Sequence, residues 1–193
     1  MSSDGGTLPR AMIRSTPWAV AAAAYLVTIY ATLPVTPRLW YWLLPHVEAH
    51  VTAWVLGISG GVAALLATRA WLVSPVRRWQ ALGLLAVVAA AYTVVLFVLF
   101  RGVSPGNKVH LLEYGLLGYL ACNAARVPGR GALAAVIFLV AAGTSDELIQ
   151  AVLPNRYFDL RDIAGNVTGA GLGALTWRAV SSWSPWRRPA AAA

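Results

Sequence analysis

Charge is scarce in this chain, and acid is scarcer than base. Only 11% of the 193 residues are charged, 15 Lys+Arg against 7 Asp+Glu, while 59% are hydrophobic. A soluble domain carries roughly a quarter charged residues, so the composition excludes one and points to a polytopic membrane protein. Six helical spans of about 20 residues would take about 120 positions, leaving short loops and tails and no room for a second, soluble domain. Cysteine is nearly absent: Cys122 stands alone inside an apolar run. That excludes an intramolecular disulfide and a multi-cysteine metal site, and leaves a small buried hydrophobe. The net charge of +8 does not form the patch or stripe that nucleic acid requires, because the basic residues fall in ones and twos at the ends of apolar segments. HExxH, a glycine-rich phosphate loop and a nucleophile motif are all missing.

What is present reads as an all-α transmembrane bundle of about six spans. A polar tail with Arg10 and Arg14 precedes an apolar run, Trp18 to Leu33, that is too long for a signal peptide and reads as an uncleaved first helix ended by Pro34 and Pro37. The second span is expected near 53–73, with Gly57 and Gly61 as a close-approach GxxxG, and the third over 80–100. The fourth is expected over Lys108 to Ala125, the fifth over Gly131 to Leu153 and the sixth from Asp162 to about Val180, separated by turns rich in Pro and Gly. Residues 1–16 and 181–193 then form tails around a bundle of residues 17–180. All nine Trp lie at or beyond the expected span ends, as an interfacial belt requires.

Orientation follows from the basic residues. One side carries ten of the 15 Lys+Arg, in the N-terminal tail, second loop with its flank, fourth loop and C-terminal tail. The other carries Arg38, Arg101, Lys108, Arg156 and Arg161. By the positive-inside rule both termini are cytoplasmic, in a multi-pass bacterial inner-membrane protein.

That orientation brings the start of the fourth span, the end of the fifth and the start of the sixth to the external face. His110, Glu113, Asp146, Glu147, Arg156, Arg161 and Asp162 would gather there, and ionisable residues at membrane depth mark functional sites by default. His110 and Tyr114 are i,i+4 with Glu113 beside them, Asp146 and Gln150 are i,i+4, and Asp162, Asn166, Gly169 and Gly173 form one stripe. Adjacent Asp146 and Glu147 either share a proton or are neutralised by a cationic partner. The blander readings are that Asp162 and Asn166 are interhelical hydrogen-bond glue and that Arg156 and Asp159 pair at the wet interface. His46 and His50 are also i,i+4, but Glu48 between them points away, so they read as surface histidines and no metal site is expected.

Lys108, His110, Glu113, Tyr114, Leu117 and Gly118 in the fourth span, Ser145, Asp146, Glu147 and Gln150 in the fifth, and Pro154, Arg156, Asp159, Asp162, Asn166, Gly169 and Gly173 after it together resemble the VanZ-like family. The resemblance covers residues 107–175 and departs at Asn107, where an Asp commonly precedes the Lys. It implies a small bacterial membrane protein of the cell envelope. The founding member is associated with teicoplanin resistance, and the family has no defined enzymatic reaction.

Three functions fit the residues. In the first, an outward-facing polar cleft binds an amphiphilic or lipid-linked anionic ligand, an envelope precursor or a lipoglycopeptide-type antibiotic. Lys108, Arg156 and Arg161 would contact anionic oxygens, and Tyr114, Asp146, Glu147, Gln150 and Asn166 would serve its other polar groups. In the second, an enzyme acts on such a lipid by phosphoryl or glycosyl transfer or hydrolysis. His110 would be nucleophile or general acid/base, Glu113 or Glu147 its partner, Asp162 a further acid/base or metal ligand, and Arg156 the stabiliser of developing charge. In the third, the polar cluster locks helices in an accessory subunit of a larger membrane complex, with the glycine stripes and the Trp-rich C-terminal tail binding a partner protein. No cofactor is implied by any motif.

Overall fold

The computed structural model describes residues 10–39, 41–43, 45, 53, 57, 61, 64–65, 67–68, 71–72, 78–95, 105–125, 131–154 and 156–181. Among these, the regular elements are all helical: α1 (Arg10–Thr32), α2 (Arg78–Val94), α3 (Pro105–Ala124), α4 (Gly131–Val152) and α5 (Leu160–Ser181). The expected second span lies outside the described residues apart from isolated helical positions, and His46 and His50 lie outside them entirely.

Helix ends follow local chemistry. Pro105 opens α3, where a fixed φ suits the first turn and a missing N–H costs nothing. The run of Ala, Val, Leu and Ile in α4 stops before Pro154, and the Leu153 amide closes the last turn on the Gln150 carbonyl at 3.1 Å. α1 begins at Arg10, ahead of the expected Trp18, and holds Pro17 inside it. Hydropathy registers only the apolar part of a helix whose first turns are polar. At its far end the chain turns through Leu33–Val35, with the Val35 amide on the Thr32 carbonyl at 2.9 Å, and helical structure resumes at Thr36 in a direction 66° from α1.

The central pair is α3 and α5; α1 leans on α3, α2 on α5, and α4 closes against both members of the pair. Backbone meets backbone along this centre. A Cβ on Gly118 would strike the Ala170 carbonyl, one on Gly169 the Leu111 carbonyl, and one on Gly173 the Gly115 carbonyl. The stripe on α5 thus seats it against α3, which answers with glycines of its own. By contrast, a Cβ on Gly57 or Gly61 would meet nothing within 4 Å. Around the seam a core forms from Tyr114, Leu117 and Ala121 of α3, Leu139 and Ala142 of α4, and Ala22 of α1.

Burial in α4 is inverted relative to a water-soluble helix. Leu133, Val136 and Ile137 are 63%, 57% and 60% exposed, while Asp146 and Glu147 are 0% exposed. An apolar outside around a polar inside suits a lipid solvent. Within this helix Leu133–Val152 is long and apolar enough to cross a membrane, and Thr16–Thr32 passes the same test jointly with its bent continuation. His110, Glu113 and Asn123 in α3, and Asp162, Asn166 and the glycines in α5, dilute the hydropathy of the central pair.

Candidate functional site

At the end of α4 two adjacent carboxylates take different partners. Asp146 turns toward α3 and α5: its Oδ2 accepts from Asn166 Nδ2 at 3.5 Å and lies 3.7 Å from His110 Nδ1. The same imidazole nitrogen lies 3.3 Å from Glu113 Oε2. One histidine therefore stands between a carboxylate in the core and a second whose side chain is 31% exposed. A charge removed from water needs such a partner to offset its desolvation. The cluster also holds polar atoms with no hydrogen-bond partner: Asp146 Oδ1 and Asn166 Oδ1 are both buried in this way. Buried acceptors of that kind are uncommon and suit a water or a ligand donor.

Glu147 turns the other way and fastens a loop. Its Oε2 accepts from the backbone N–H of Asp159 at 3.0 Å, and its Oε1 accepts from Gln150 Nε2 at 3.1 Å. Asp159 is in turn the N-cap of α5. Its Oδ1 accepts from the Arg161 N–H at 2.8 Å, and its carbonyl accepts from the Ile163 N–H at 3.4 Å. The N-cap's own N–H, which a capping box satisfies from within one helix, is here taken by a side chain of the preceding helix. Asp162 follows in the first turn of α5, where the helix dipole favours negative charge.

A third feature ties in α1. Tyr30 Oη donates to the Ala142 carbonyl at 2.8 Å, and Tyr114 Oη donates to the same oxygen at 3.2 Å. Three helices thus meet one turn before Asp146. Gly143 makes room beside this junction, since a Cβ there would lie 3.2 Å from Asn166 Cβ and 3.6 Å from Tyr114 Cε1.

Beside His110 a small recess opens, with a cavity volume of about 20 Å³. Val109, His110 and Glu113 of α3 and Arg156 of the following loop line it together with Ile29, Thr32, Leu33 and Thr36 from α1 and the segment after it. A water needs about 10–15 Å³ on this measure, so the recess suits a single small polar group and not a sugar ring. The Nε of Arg156 is buried without a hydrogen-bond partner.

Of the residues singled out in the sequence, His110, Glu113, Tyr114, Asp146 and Asn166 come together around the recess or directly behind it. Glu147 and Gln150 form the loop latch. Arg161 is exposed and enters the site only through its backbone, and the Lys108 side chain lies outside the described residues. Tyr30, Thr32 and Thr36 were not expected; a hydroxyl on an otherwise apolar helix was the only signal for them. Among the described residues no three His, Cys, Asp or Glu side chains are grouped to hold a metal ion.

Chemically, the arrangement offers a guanidinium and an imidazole on one recess, the imidazole Nδ1 near two carboxylates but without a hydrogen bond to either, and buried acceptors behind them. The family model for VanZ/LLP1 matches residues 61–181, more than half of the chain. No curated protein and no solved structure matches.

Proposed function

The chain belongs to the VanZ/LLP1 family, and from that premise we propose that it is a multi-pass bacterial inner-membrane protein that binds the anionic headgroup of an amphiphilic or lipid-linked ligand. With six spans and both termini cytoplasmic, the reading that the Lys/Arg asymmetry supports, the recess would face the external side. The observation that carries the reading is the meeting of Arg156, His110 and Glu113 on one recess. Guanidinium and imidazole engage anionic oxygen, and the unpartnered oxygens of Asp146 and Asn166 suit a hydroxyl or water held with it. The ligand's apolar chain lies along exposed faces such as that of α4. A recess of this size admits a single anionic oxygen and not a sugar ring, which makes a phosphorylated isoprenoid of envelope synthesis, with its phosphate at the mouth and one oxygen inserted, the best candidate.

A second reading has one specific observation in its favour. His110 is held 3.3 Å from Glu113 beside Arg156, the parts needed for phosphoryl transfer or hydrolysis on the same lipid: an oriented base or nucleophile and a stabiliser of developing charge. For the accessory-subunit reading the glycine stripe of α5 is taken by α3, which leaves that reading the Trp-rich C-terminal tail.

The test is mass spectrometry of lipids co-purifying with gently extracted wild type, Arg156→Ala and Asp162→Asn, with thermal unfolding read on the same samples. A phosphorylated isoprenoid present in wild type and lost from stable variants is the expected result. If nothing specific co-purifies and both variants simply melt earlier, the cluster is helix glue and the proposal fails. Release of inorganic phosphate from a bound isoprenyl phosphate, abolished in His110→Asn, would favour the enzymatic reading.

A further inference from the structure

We infer that α1 and the turn after it are the ligand-selecting wall of the recess, with Thr32 and Thr36 as specificity-determining residues that set which headgroup reaches Arg156 and His110. The inference rests on the headgroup-binding reading and adds to it a division of labour between two walls.

The first argument is chemical. The recess has two unlike sides: His110, Glu113 and Arg156 can be charged, whereas Ile29, Thr32, Leu33 and Thr36 cannot. Nor do the threonines offer donors to an anion. Thr36 Oγ1 donates to the Thr32 carbonyl at 2.7 Å, and Thr32 Oγ1 is engaged by the carbonyls of Ile29 at 2.8 Å and Thr28 at 3.0 Å. With its hydroxyl hydrogens bonded to its own backbone, this side acts on a ligand through shape.

The second argument is mechanical. A wall selects by shape only if it is fixed, and this one is fastened to both neighbours. Tyr30 Oη holds α1 to the Ala142 carbonyl of α4 at 2.8 Å. Trp18 packs edge-on against Tyr119 of α3 with centroids 6.4 Å apart. Ala22, Ile29 and Leu33 are the wall's buried apolar residues. Tyr30 is thus a positioning residue for the wall.

The third argument is where the two walls fall in the chain. His110, Glu113 and Arg156 lie inside the family-matched segment, residues 61–181, and α1 lies outside it. The segment that makes the chain a family member supplies the charge, and a segment beyond it supplies the fit.

Two probes test this: farnesyl monophosphate and its methyl phosphodiester, which share a tail and differ on the headgroup by one methyl and about one negative charge; the charge difference is the same for wild type and the threonine variants, so a change of preference between those proteins reads shape. Their binding in detergent micelles is measured for wild type, Thr32→Ala/Thr36→Ala, Thr36→Leu, Tyr30→Phe and Arg156→Ala, with thermal unfolding alongside. Thr32 is exposed and Thr36 half-buried, so these replacements leave the core intact.

A fitted wall makes one methyl worth roughly tenfold or more, so wild type favours the monoester by about that factor. The double alanine variant reduces this preference to about threefold or less by admitting the diester, and Thr36→Leu weakens both probes about tenfold by filling the recess. Tyr30→Phe blurs the preference without abolishing binding. If Arg156→Ala abolishes binding but the threonine variants keep wild-type affinities and preference, α1 is not a selecting wall while the headgroup reading stands. If wild type binds neither probe, the headgroup reading falls and this inference falls with it.

Discussion

Asp146 and Glu147 are neighbours in sequence, both wholly buried, and have opposite surroundings. Glu147 has a protein donor on each carboxylate oxygen, the Asp159 N–H and the Gln150 amide. Asp146 has one oxygen between His110 and Asn166 and the other unpartnered. A rotation of about 100° per residue is enough to separate a fastening from an opening. A buried carboxylate whose oxygens are satisfied by the protein holds the fold together, and one left with a vacant acceptor is available to something else.

Breaking the fastening has the largest expected effect on stability. Glu147→Ala leaves the Asp159 N–H and the Gln150 amide unpaired, and should cost about 2–4 kcal/mol in thermal or denaturant unfolding. Glu147→Gln keeps an acceptor for the Asp159 N–H and should recover more than half of that loss. Equal destabilisation by Gln and Ala would show that the latch works by charge instead of hydrogen bonding.

Removing the cap beneath the latch comes next. Asp159→Ala should cost about 1 kcal/mol. Combined with Glu147→Ala it should cost less than the sum, because both changes release the start of α5. Strict additivity would argue that loop and cap act separately.

On the other side of the comparison the ordering of stability and binding reverses. Asp146→Asn keeps the shape of the side chain and leaves Glu113, 3.3 Å away, as the partner of His110, so stability should change by less than about 1 kcal/mol. Affinity for farnesyl monophosphate should still fall about tenfold, a difference of about 1.4 kcal/mol in binding. A large loss of stability with binding preserved would place Asp146 with Glu147 as a fastening. The smallest effect belongs to Arg161→Ala: its side chain is exposed, so stability should stay within about 0.5 kcal/mol and probe affinity should be unchanged.

Much of this architecture was legible in the chain. The helices expected over Lys108 to Ala125, Gly131 to Leu153 and from Asp162 to about Val180 are observed as Pro105–Ala124, Gly131–Val152 and Leu160–Ser181, because Pro, Gly and an Asp cap punctuate apolar runs strongly. Helical spacing also put His110, Glu113 and Tyr114 on one face. It left open the partners of Asp146 and Glu147, since the facing of two adjacent residues depends on how helices are rotated against one another. Asp159, expected as an interfacial partner of Arg156, serves as the cap of α5. The contribution of α1 and the segment after it was illegible for a related reason: Thr32 and Thr36 are ordinary residues until packing brings them to the recess with His110 and Arg156, and Tyr30 until it reaches the Ala142 carbonyl.

Along the seam between α3 and α5, carbonyl groups stand where any side chain would have to fit. Two helices in contact through their main chains have no side chains between them to exchange. A side chain added at Gly118, Gly169 or Gly173 cannot adjust the spacing of the pair gradually, because even a Cβ there meets the backbone of the facing helix. Change is then channelled into the faces of α1, α2 and α4 that lean on the pair, where side chains can be replaced one at a time without shifting the seam.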